Sequence, residues 1–134
     1  MPAPKPTIED LLKYAGVTAE QHTETWARFS FRRPLRTWSV IMVLKAGRLV
    51  ISAYVMQAPI EEPRQAHFLK RIKAINAEIG GEMFTMRDDH LTIETKHRMT
   101  YTDAVMVGSL LRYVCDHGEK FYPSLLAIAV GPRS

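Results

Sequence analysis

Residues 63–95 read PRQAHFLKRIKAINAEIGGEMFTMRDDHLTIET, and the fold turns on this stretch. Pro63 suits a first helical position, where its missing N–H leaves nothing unpaired and its fixed φ is already helical. Phe68, Leu69, Ile72, Ile75 and Ile79 recur every three or four residues while Arg64, Lys70, Arg71 and Lys73 fall largely away from them, which predicts a helix with one apolar and one basic face. Gly80-Gly81 stops it, because glycine takes the left-handed C-cap conformation without steric penalty. Met83 to Met86 and Leu91 to Thr95 then alternate around Asp88-Asp89, so a hairpin follows the helix.

Upstream, Thr25 to Phe31 alternates as a first strand, and Pro34 ends it because a proline cannot donate to a sheet ladder. Thr37 to Lys45 and Arg48 to Gln57 are joined at Ala46-Gly47, a link short enough to demand an antiparallel hairpin. That link pairs Leu44 with Leu49 and Met42 with Ile51, and sorts the side chains onto two faces. Trp38, Val40, Met42 and Leu44 join Leu49, Ile51, Ala53 and Val55 on one; Ile41 and Val43 join Val50, Tyr54 and Met56 on the other, softened only by Ser39 and Ser52. An antiparallel sheet covered by helices on one side ordinarily turns polar residues to the second. An apolar second face calls for a cover.

Thr7 is a good N-cap, with Asp10 at the third position of a two-turn helix that Gly16 closes. Thr18-Ala19-Glu20 comes next as a turn with some helical character. Beyond the second hairpin, Thr100 and Asp103 form a capping-box pattern for a last helix carrying Ala104, Val107, Leu111, Val114 and Cys115 inward. Gly118 and Pro123 are expected to kink it, and the uncharged run Ser124 to Val130 to be buried on all sides or to meet another chain. The expected fold is therefore α+β: helix, three antiparallel strands, helix, two strands, helix, with five strands in one twisted sheet and the helices packed on one face. A single domain is expected over residues 7–134, after a disordered segment at 1–6.

Asn76-Ala77-Glu78-Ile79-Gly80-Gly81-Glu82-Met83-Phe84, then Asp88-Asp89-His90-Leu91-Thr92-Ile93, then a helix leading to Phe121-Tyr122-Pro123, resembles the YbjN family, whose fold is that of type III secretion chaperones. The resemblance covers roughly Thr25 to Val130 and rests on structural motifs. It implies a secretion-chaperone-like fold and a non-enzymatic, protein-binding role, with a homodimer as the working form and no catalytic residues to carry over. Dedicated secretion chaperones tend to be acidic and this chain is basic, so an adaptor or regulator is expected in place of a literal effector chaperone.

A chain of 134 residues has the length of one domain, and folding at that size hides about two-thirds of the extended-chain surface. With 46% hydrophobic and 24% charged residues, a disordered polyelectrolyte is excluded. Cys115 is the one cysteine, so no internal disulfide forms and a reducing, cytoplasmic location is expected. Met1 to Pro6 is followed by no apolar signal core, and no run approaches the ~20 apolar residues of a membrane span, so no membrane partner is expected.

His22, His67, His90, His97 and His117 include no pair at the four-residue helical spacing of metal ligands, and no metal or cofactor is expected. Cys115 and His117 point to different sides of a helix, which leaves an activated thiolate unsupported. Asp88-Asp89 is a turn, and Gly80-Gly81 follows a helix where a phosphate loop would precede one. No enzyme is expected. The net charge of +4 concentrates at Arg28, Arg32, Arg33 and Arg36 and along the central helix, and Met42, Met56, Met83, Met86, Met99 and Met106 supply adaptable apolar surface. Together these predict a protein-binding module whose contact, with a partner or a second copy, is Ile41, Val43, Val50, Tyr54 and Met56, the four arginines selecting acidic flanks. The alternative is nucleic-acid binding through the interleaved basic and aromatic residues from Arg28 to Trp38.

Overall fold

Ala46 and Gly47 both adopt positive φ, 53° and 75°, the conformation that turns a two-residue hairpin in the sense of the strand twist. The computed structural model describes residues 6–99 and 104–130. Over these residues it is an α+β fold with three helices, α1 (Ile8–Ala15), α2 (Glu62–Ile79) and α3 (Val107–Val130), and six strands: β1 (Gln21–His22), β2 (Trp26–Arg32), β3 (Thr37–Lys45), β4 (Arg48–Gln57), β5 (Phe84–Arg87) and β6 (His90–Arg98). The strands form one open antiparallel sheet in the order β1-β2-β3-β4-β6-β5. The bounds of β3 and β4 are those predicted, and so is the pairing of Leu44 with Leu49 and Met42 with Ile51.

The sixth strand, which the sequence does not announce, follows directly on the Thr18-Ala19-Glu20 segment. Thr23 Oγ1 accepts hydrogen bonds from the amides of Thr25 and Trp26 at 3.2 and 3.3 Å, which reverses the chain and lays Gln21-His22 against β2. β6 is longer than predicted because it pairs with β4 from Gln57↔His90 to Arg48↔Arg98, past the last residue with an apolar alternation. Of the N-terminal segment expected to be disordered, only Pro6 is described, and it is buried; the Thr100–Asp103 cap lies outside the described residues.

All three helices pack on one face. Phe29, Trp38, Val40, Met42, Leu49, Ile51, Leu91 and Ile93 are almost wholly buried beneath them, and α3 crosses β3, β4 and β6 while touching α1 and α2. The capping box of α1 forms as expected, with the Asp10 amide donating to Thr7 Oγ1 and the Thr7 amide to the Asp10 carboxylate. α2 buries Phe68, Ile72 and Ile75 but leaves Leu69 46% exposed, so its core stripe is narrower than the sequence suggests. Near the end of α2, Asn76 donates to the Phe84 carbonyl and accepts from the Phe84 amide, both at 2.9 Å, fixing β5 to the helix.

α3 runs as one helix through Gly118 and Pro123. Gly118 is there for space: a Cβ at this position would lie 2.7 Å from Trp38 Cη2 and 3.0 Å from Ile93 Cδ1. The indole of Trp38 fills that gap and is fully buried, its Nε1 donating to Glu119 at 2.7 Å and one face covered by the Arg36 guanidinium at 3.9 Å. The run Ser124 to Val130 is neither buried all round nor separate from the helix: Leu125 is buried, whereas Leu126 and Val130 are exposed.

Candidate functional site: the open sheet face

Alternation along a strand sends every second side chain away from the helices, and no helix covers that side of the sheet among the described residues. The pairing registers align its residues into rows across the strands. One row is Trp26–Val43–Val50–Lys96, and the next toward the hairpin end is Lys45–Arg48–Arg98. On the other side of the apolar row stands Gln21–Arg28–Ile41–Ser52–Glu94. Ile41 and Val43 are 40% and 39% exposed and Tyr54 is 46% exposed, with Trp26 and Val50 half-buried between their neighbours. Tyr54 rests against the His90 ring at 5.4 Å.

Four of the five residues expected on this contact face are on it: Ile41, Val43, Val50 and Tyr54. Met56 is not. A register shift between Tyr54 and Met56 breaks the alternation, so Met56 pairs with Leu91 and turns into the core beside Val55, only 8% exposed. A bulge of this kind inserts one residue and re-aims the side chains beyond it. The methionines in general line the core: Met42, Met83 and Met99 are also buried, and Met106 alone among those six is strongly exposed.

The arginine group does not come together as one patch. Arg36 donates to the carbonyls of Val55 and Tyr54 and covers Trp38. Arg33 pairs with Asp116 of α3 at 3.0 Å, and Arg28 stands 3.6 Å from Glu20. Arg32 is left exposed. Of the aromatics in the nucleic-acid alternative, Phe29 and Trp38 are inside.

Sequence reasoning passes over a different basic group. Lys45, Arg48 and Arg98 are cross-strand neighbours, Lys96 lies one row away, and none of the four has an ion pair among the described residues. Arg48, Val50, Lys96 and Arg98 line one depression on this face. The signal is present in the residues: Lys45 and Arg48 flank the predicted turn and so face each other, and Lys96 and Arg98 continue the parity opposite to Leu91 and Ile93. Glu94 is the sole carboxylate among the outward residues of the described strands, and it is engaged. Arg87 donates to both of its oxygens at 2.6 and 2.7 Å and holds its carboxyl below the ordinary value.

Among the described residues no three of His, Cys, Asp and Glu converge as metal ligands, and no helix is long and apolar enough to cross a membrane. Cys115 is on the buried face of α3, and desolvation pushes its thiol up to about 11, so it is protonated at neutral pH. His117 turns instead to the Tyr113 carbonyl at 3.0 Å. The class defined by this geometry is an α+β domain with one shielded and one open sheet face, the open face carrying an apolar row beside a basic row. A scan against models of known protein families gives no match, and no curated protein matches the chain at a significant level.

Proposed function

We propose that this chain is a protein-binding module, an adaptor or regulator and not an enzyme, that receives a partner on its open sheet face. The observation that carries the reading is the exposure of Ile41, Val43 and Tyr54 beside Trp26 and Val50, on a face that no described helix covers. Contiguous apolar surface rimmed by polar and charged groups marks interaction sites on folded proteins. The order of the long elements, a helix, three strands, a helix, two strands and a helix, is the one read from the sequence, and the YbjN resemblance is what favours a secretion-chaperone-like reading of that fold.

A photo-crosslinking residue placed at Val43 is expected to capture a partner protein in cells, while the same residue at Leu69 on α2 captures none. Val43→Asp with Tyr54→Asp is expected to abolish the association while leaving the chain folded, with a modest fall in the unfolding midpoint, since both side chains already meet solvent but aspartate suits a strand poorly. Equal capture from the two positions, or a partner retained by the double variant, contradicts the reading.

A further inference from the structure

We infer that the occupant of the open face is an acidic, amphipathic segment of another protein, with carboxylates running beside its apolar stripe, and not a second copy of this chain. This rests on the docking role proposed above and goes on to say what docks. Like charges directly opposite one another on adjacent strands destabilise a sheet. Lys45, Arg48 and Arg98 stand in that relation on three strands, without ion pairs among the described residues. Bound carboxylates would relieve the repulsion.

The spacing describes the ligand. Three neighbouring strands place the first and third cations about 10 Å apart, and the Val43–Val50 row lies about 7 Å from them along the strands. Carboxylates at positions i, i+3 or i+4, and i+7 of a helix also span about 10 Å along its axis, with apolar residues at neighbouring positions on the same side. A helix laid across the strands therefore meets both rows at once. A second copy has nothing comparable to offer: Glu94 is the one acid among the outward residues of its described strands, and Arg87 already holds it. Single-stranded nucleic acid is disfavoured because Val43 and Val50, the outward residues next along the strands from Lys45 and Arg48, are aliphatic and Trp26 is half-buried, whereas bases bind such platforms by stacking on aromatic faces.

The test uses the full chain and three labelled probes: a helical peptide of leucines bordered by glutamates, the same peptide with lysines for glutamates, and a short oligothymidine. The glutamate peptide is expected to bind, to shift the methyl signals of Val43 and Val50, and to lose about tenfold or more in affinity with Arg48→Glu, whereas Lys73→Glu on α2 leaves binding unchanged. Equal binding of the lysine peptide at Val43 and Val50 would leave the docking face standing and overturn its acidic preference. No shift at Val43 and Val50 with either peptide overturns both. Tighter binding of oligothymidine, lost steeply with salt, would make the occupant a nucleic acid. A dimer of the unaltered chain that Val43→Asp dissolves would put a second copy there.

Discussion

Replacing Trp38 by alanine is expected to destabilise the fold by about 3–5 kcal/mol, the range for emptying a buried large aromatic site. Urea unfolding followed by circular dichroism reads the loss as a fall in midpoint at an unchanged slope. The magnitude comes from the contacts of the indole. It is fully buried between the sheet and α3, stacked under Arg36, edge-on to Tyr122 at 5.9 Å and bonded to Glu119. Removing it opens a cavity and strips a carboxylate of one donor, although Glu119 still accepts from the Leu35 amide. Trp38→Phe keeps most of the volume and loses the hydrogen bond, so a smaller loss is expected from it, about 1–3 kcal/mol. An unchanged midpoint in Trp38→Ala would mean that α3 does not pack on the sheet as described.

The second large effect sits on the opposite side of the same contact. Gly118→Leu is expected to cost about 3 kcal/mol or more, because overpacking a filled core forces side chains or backbone to move. A Cβ on Gly118 would already meet the Trp38 ring at 2.7 and 2.8 Å, and that ring is pinned by Glu119 and Arg36. Gly118→Ala is expected to lose less, since alanine regains up to about 1 kcal/mol of helix propensity. Gly81→Ala is a suitable control, as nothing lies within 4 Å of its added Cβ. Combining Gly118→Ala with Trp38→Ala should cost less than the sum of the two, because the second substitution vacates the space the first invades. Strict additivity would contradict the contact.

Much of this architecture is legible in the residues. Period-two alternation and an intervening glycine suffice to place β3 and β4 to the residue, and a capping box with a left-handed glycine bounds α1. The features that escape the sequence are decided by contacts between distant segments. Two residues of β1 are too few to show a period, and their pairing depends on a turn built by Thr23. The bulge after Tyr54 reverses the side on which Met56 emerges, and no local pattern announces it.

The open face is half legible for the same reason. Ile41, Val43, Val50 and Tyr54 emerge from alternation alone. The basic component does not, because sequence proximity of Arg32, Arg33 and Arg36 says nothing about direction. Two of those side chains turn to α3 and to the backbone of β4, while Lys45, Arg48 and Arg98, scattered in sequence, become neighbours through the sheet.

Solvent exposure of the methyl groups in the partner-free full chain tests the central claim most directly, read as broadening of their signals by a soluble nitroxide. Ile41, Val43 and Val50 are expected to broaden strongly while Val40, Ile51 and Val55, on the shielded side of the same strands, remain sharp. Protection of Ile41 and Val43 equal to that of Val40 would contradict an open face.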